Sequence, residues 1–145
     1  MANLRLVEDC PTPIEYAELR RRMGWGDIDH DTARKSVANS VYSVCLRDGD
    51  RLVGLARIVG DGALYFYLAD VILLQELRGG GHGVALMSAV LSYLAKAAKP
   101  GATVAVLPLK GRESFYQRFG FRCCPDDFLG PGLYLPDPRR RHEQV

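Results

Sequence analysis

Asp70-Val71-Ile72-Leu73-Leu74-Gln75-Glu76-Leu77-Arg78-Gly79-Gly80-Gly81-His82-Gly83-Val84 is the stretch whose reading decides the fold. An apolar, strand-like run ends in a glycine-rich turn, and the turn opens a helix. Such a junction is an anion site, because unpaired backbone N–H groups and the positive end of the helix converge where no side chain blocks approach. Behind the turn, Ala63 to Leu74 is aromatic and β-branched and reads as a long central strand. Ahead of it, Val84, Met87, Leu91, Leu94 and Ala98 recur at helical spacing until Pro100-Gly101. Thr103 to Leu107 follows as a strand, parallel to the long one if the helix is a crossover.

The rest of the chain builds outward from that unit. Leu4 and Leu6 suggest a short first strand, Pro11 and Pro13 interrupt it, and Thr12 can cap a helix over Ile14 to Met23. Gly24-Trp25-Gly26 is a flexible link, and Asp29 or Asp31 offers the cap of a second helix through Ala33, Val37 and Ala38. From Val41 the period becomes two. Tyr42 to Arg47 and Leu52 to Val59 are strands joined at Asp48-Gly49-Asp50, and Gly60-Asp61-Gly62 repeats the turn signal. Gly111 to Phe119 reads as a short helix ended by Gly120, and Phe121 and Leu133 to Leu135 as closing strands. The expected class is α/β (α+β): a mixed, mainly antiparallel central sheet flanked by helices, with one parallel βαβ crossover. One domain over residues 1–145 is expected, with a basic polar tail from about residue 137.

Composition narrows the function. The 145 residues are 48% hydrophobic and 25% charged, with a formal net charge of +2, values of an ordinary globular domain. A broad basic face for nucleic acid is unsupported, and Arg139-Arg140-Arg141-His142 reads as a solvated tail. The longest uncharged stretch, Gly79 to Ala95, is too short and too interrupted to span a membrane, and no basic start precedes an apolar run at the N-terminus. A cytoplasmic protein is therefore expected. Cys10, Cys45, Cys123 and Cys124 show neither C-x-x-C spacing nor a matching His pair, so reduced thiols are expected and no metal site.

The glycine turn is not a P-loop, since Val84-Ala85 stands where Lys-Ser/Thr would be, and it lacks the third glycine of a dinucleotide fingerprint. Arg78-Gly79-Gly80-Gly81-His82-Gly83 after a strand, followed in order by Tyr116-Gln117-Arg118-Phe119-Gly120-Phe121, resembles the GNAT superfamily of acyl-CoA-dependent N-acetyltransferases, with Arg/Gln-x-x-Gly-x-Gly/Ala and Tyr-x-x-x-Gly-Phe as its motifs. The resemblance covers nearly the whole chain. It implies acetyl-CoA as acyl donor, with Val71, Ile72 and Leu73 pairing with the pantetheine arm and the turn Arg78, Gly79, Gly80, Gly81, His82, Gly83 and Val84 holding the pyrophosphate. It also implies direct attack by an amine without a metal, and Tyr116 as the acid that protonates the departing sulfur. The acceptor is a small-molecule or peptide amine, and a homodimer stays open. Two departures stand out. Leu73-Leu74-Gln75 replaces the frequent Val-x-Pro, and Gly79 and Gly80 replace polar or basic turn residues, leaving Arg78, with Lys110 or Arg112, to supplement the amides. A non-catalytic acyl-CoA-binding module of the same fold is the alternative, against which the retained Tyr116 argues.

An attacking amine must first lose a proton. Asp70 interrupts an apolar strand and must be solvated, paired or functional; Arg57 is a plausible structural partner. Tyr65 and Tyr67 share one strand face and Asp70 falls on the other unless a bulge intervenes. Tyr67 or Asp70, through an ordered water, is the expected base. The acceptor pocket is expected between Trp25, Asp27, Tyr65 and Tyr134, three aromatic walls with one acid to attract an ammonium.

Overall fold

In the computed structural model, which describes residues 3–139, the chain forms β1 (Leu4–Val7), α1 (Pro13–Arg22), α2 (His30–Ala38), β2 (Tyr42–Asp48), β3 (Arg51–Gly60), β4 (Tyr65–Leu73), α3 (His82–Ala97), β5 (Thr103–Val106) and α4 (Glu113–Gln117). It divides into two compact units, Met1–Leu107 and Pro108–Val145.

The first unit is one five-stranded sheet in the order β1-β2-β3-β4-β5. The first three pairings are antiparallel, and β4 with β5 is parallel through the α3 crossover. The expected mixed, mainly antiparallel sheet flanked by helices is therefore the observed one. Gly49 at φ +60° turns the first hairpin. At the second turn the Asp61 carboxylate accepts from the amides of Ala63, Leu64 and Tyr65, so β4 begins at Tyr65 and not at Ala63.

Both faces of the sheet are covered, which is why β3 is buried continuously from Leu52 to Ile58. On one face α3 stacks Tyr93 on Tyr42 at 4.5 Å and against Phe66 at 6.2 Å. On the other lie α1 and α2. Thr12 and Glu15 cap α1 reciprocally, and Glu15 also accepts from Arg47 of β2 at 2.6 Å, which ties the helix to the sheet. That Arg47 hydrogen bond is the chief reason the Glu15 carboxyl is held below its ordinary pKa. Asp29 caps α2 by accepting from the Thr32 amide at 2.7 Å.

Two expectations change. The buried stripe of α3 is Leu86, Met87, Val90 and Leu94, with Val84 exposed; the apolar face of the helix is broad, so spacing alone fits more than one stripe. In the second unit no closing strand forms at Phe121 or at Leu133 to Leu135 among the described residues. Pro125, Pro131, Pro136 and Pro138 remove ladder donors, and the Asp126 carboxylate instead accepts from Phe128 and Leu129 to fix a turn. Of the basic tail, Arg140, Arg141 and His142 lie outside the described residues. Among the described residues no helix is long and apolar enough to cross a membrane.

Candidate active site

The site begins where β4 leaves β5. Their pairing runs from Tyr65↔Thr103 to Leu68↔Val106, and beyond it β4 continues to Leu73 paired only with β3. The edge that Val71, Ile72 and Leu73 present toward β5 is thus outside the ladder, an open strand edge of the kind that an extended amide-bearing chain can join. A short 3-10 turn over Gln75–Leu77 leads to the glycines.

In the turn, Gly79 and Gly81 have φ of +86° and +84°, the left-handed region that a side chain disfavours. At Gly80 a Cβ would press on the His82 ring at 3.2 Å. Gly81 is the N-cap of α3 and supplies no capping side chain, and the first intrahelical bond is Ala85 N–H to Gly81 carbonyl at 3.1 Å. The amides of His82, Gly83 and Val84 precede that bond and have no intrahelical carbonyl to meet, so they and the helix dipole face whatever anion approaches. Arg78 is exposed at the start of the turn.

The β3–β4 ladder slips between Arg57 and Ile58: Ile58 pairs with Leu68, but Arg57 pairs with Asp70, leaving Ala69 as an extra residue. This is the bulge on which the facing of Asp70 turns. Phe66 packs on α3, which puts Tyr65 and Tyr67 on the α1/α2 face, and the slip brings Asp70 to that same face. Asp70 is 4% exposed; its Oδ2 accepts from Arg57 Nε at 2.8 Å and from the Tyr16 hydroxyl at 2.7 Å. Arg57 further donates to the Ser36 carbonyl and the Ser40 hydroxyl. Arg57 is the structural partner the sequence suggests, whereas Tyr16, Ser36 and Ser40 carry no signal in the sequence that links them to Asp70. Burial and then Asp70 push the Tyr67 phenol up, so it stays protonated at neutral pH.

The expected acceptor residues divide between the units. Trp25 is half-buried on the α1–α2 link, under the Arg20 guanidinium at 5.5 Å, and the same guanidinium lies 5.8 Å from the Tyr16 ring. Asp27 is ion-paired with Arg21 at 2.7 Å, with both side chains exposed. Tyr65 is 65% exposed at the start of β4. Tyr134 belongs to the second unit and is exposed. Also in that unit, Tyr116 lies on α4 against Phe115 at 5.1 Å and Phe121 at 6.0 Å; the helix is shorter than the expected Gly111 to Phe119, ending at Gln117 with Arg118 as its cap, and Gly120 at φ +96° lies in the turn that follows. Among the described residues no cluster of three or more His, Cys, Asp or Glu could hold a metal ion.

Known proteins resemble this chain in sequence and in fold. The family model of the acetyltransferase (GNAT) domain matches residues 17–135. An uncharacterised N-acetyltransferase, ycf52-like, from Prochlorococcus marinus is 32% identical over 116 residues, which is 77% of this chain; the chain spans 63% of that relative's length. The crystal structure of a probable acetyltransferase from meticillin-resistant Staphylococcus aureus is 27% identical with a TM-score of 0.80, covering 91% of this chain and 98% of the other. A GNAT-family acetyltransferase from Streptococcus pneumoniae, 23% identical, shares the fold with a TM-score of 0.70 over 83% of this chain and 88% of its own. With the family model matched over most of the chain and the glycine turn set between an open strand edge and a helix, the protein belongs to the GNAT acetyltransferase family.

Proposed function

We propose that this chain transfers the acetyl group of acetyl-CoA directly to a primary amine of a small molecule or peptide. The observation that carries the reading is the continuity of the open β4 edge, Val71 to Leu73, with the glycine turn and the amides of His82, Gly83 and Val84. A pantetheine arm has amides to pair along the edge, and a pyrophosphate has the charge for the turn. Arg78 adds one cation, and Gly79, Gly80, Gly81 and Gly83 keep side chains out of the way.

The chemistry needs a proton removed and a proton supplied. Removal is assigned to an ordered water at the end of β4 that accepts the amine proton and passes it to solvent, held in place by the Tyr67 phenol, which itself stays protonated. Supply is assigned to Tyr116, which donates to the coenzyme sulfur as the carbon–sulfur bond breaks and the carbon–nitrogen bond forms. Trp25 and Tyr65 are assigned to the acceptor.

Calorimetric titration with acetyl-CoA, followed by thiol-release measurements across a panel of small amines and peptides, tests the reading. Saturable binding with release of free coenzyme A in the presence of one acceptor class is expected. Failure to bind would refute it, and binding without release over the whole panel would leave a coenzyme-binding module in its place.

A further inference from the structure

Building on the coenzyme site proposed above, we infer that Asp70, Arg57 and Tyr16 form a clamp that holds the Ala69 bulge and thereby sets the gap between β4 and β5. Asp70 then acts on the reaction as a positioning residue and not as the group that takes the proton. Three observations meet at this point.

The first is position. The last β4–β5 rung is Leu68↔Val106, and the bulged residue Ala69 comes immediately after it. A bulge bends its strand and increases the local twist, so it redirects β4 at the rung where β5 ends at Val106 and Val71, Ile72 and Leu73 pass beyond the parallel ladder.

The second is register. From Gly60↔Phe66 through Val59↔Tyr67 to Ile58↔Leu68 the ladder is regular, and its continuation would set Arg57 opposite Ala69. Asp70 would then turn to the α3 face, away from Arg57. Both charges sit in the sheet interior, Arg57 7% and Asp70 4% exposed, and a buried charge without a partner is costly. The ion pair exists only in the slipped register, so the charges choose the bulge over the regular ladder.

The third is anchorage. The clamp is not confined to the two strands. Tyr16 of α1 donates to Asp70 and accepts from Arg57 Nη2 at 3.2 Å, with the guanidinium 5.2 Å from its ring centroid. Ser36 and Ser40, at the C-terminal end of α2, receive Arg57 Nη1 at 3.1 and 3.2 Å. A guanidinium at the carbonyl end of a helix is also favoured by the helix dipole. Two helices therefore fix the rotation of the strand at the residue where the coenzyme edge opens.

The test reads coenzyme affinity and strand dynamics separately. Tyr16→Phe keeps the ring and removes only the hydroxyl bridge; it is expected to raise the acetyl-CoA Kd about three- to ten-fold. It should also speed amide exchange over residues 68–72 while exchange in α3 and the shape of the pH–rate profile stay as in the wild type. Asp70→Asn should weaken binding further, by about ten-fold or more. Asp70→Asn with wild-type affinity and exchange but an altered acid limb would make Asp70 the base and overturn the clamp. If Asp70→Asn does not fold, Tyr16→Phe decides alone, and wild-type Kd together with wild-type exchange overturns the inference. If the wild-type protein does not bind acetyl-CoA, the coenzyme reading falls, and exchange over residues 68–72 in Tyr16→Phe still decides the clamp: faster exchange upholds it and unchanged exchange overturns it.

Discussion

Arg57 faces Asp70 across the β3–β4 ladder with Nε 2.8 Å from Oδ2, at the rung where the register has slipped by one residue. Burial disfavours the guanidinium charge, but the hydrogen bond and attraction from Asp70 outweigh it and hold the Arg57 pKa above its ordinary value. Removing one partner strands the other charge in the core. Arg57→Met is therefore expected to cost about 3–5 kcal/mol in urea unfolding, and Arg57→Met with Asp70→Leu to recover much of it. A double variant as unstable as the single one would show that the cost lies in packing and not in the stranded charge.

The turn makes a sharper demand on one atom. Gly81 has φ +84° and caps α3, and an aspartate there adds both strain and negative charge beside the amides of His82 and Gly83. Gly81→Asp should abolish acetyl-CoA binding in calorimetry while circular dichroism reports a folded protein. Unchanged affinity in the folded variant would move the coenzyme site elsewhere.

Loss of the Tyr116 hydroxyl removes the proposed acid and keeps the ring that packs on Phe115 and Phe121. Tyr116→Phe is expected to lower kcat by roughly 10- to 1000-fold with little change in acetyl-CoA affinity. Wild-type turnover on a confirmed acceptor would take Tyr116 out of the mechanism.

For the acceptor, Trp25→Ala should raise the acceptor KM at least several-fold and leave coenzyme affinity nearly intact, as measured by steady-state kinetics beside calorimetry. Because Arg20 lies over both Trp25 and Tyr16, equal losses in both quantities would mean that Trp25 supports the core and not the acceptor.

Stability should depend on pH through Glu15. Its folded-state pKa is lowered, chiefly by the Arg47 hydrogen bond, so its contribution is complete above the ordinary value of 4.5 and is lost as pH falls through the lower folded-state value. Glu15→Gln is expected to lower Tm at pH 7, with the difference from wild type closing as pH drops below 4.5. A constant difference down to pH 2 would assign the effect to the capping geometry alone.

Local chemistry made much of this protein legible in one dimension. Alternation marked β2, an apolar run between two turn signals marked β3, Thr12 and Asp29 announced their helices, and the run from Asp70 through Gly83 declared a strand, a turn and a helix, because caps, turns and periodicity depend on residues a few positions apart. The motif pair at Arg78–Gly83 and Tyr116–Phe121 was readable for the same reason. What sequence could not settle was which way Asp70 faces, since alternation counted from Tyr67 puts it on the wrong side of the sheet. Only tertiary packing supplies Tyr16, Ser36 and Ser40, which meet Asp70 or Arg57 across 54, 21 and 17 residues of chain, and makes the bulged register the one in which both charges are paired. The α3 stripe was marked only in outline: Ser88, Ser92 and Lys96 show its exposed side, but the apolar face is broad, and packing on the sheet is what selects Leu86 and Val90.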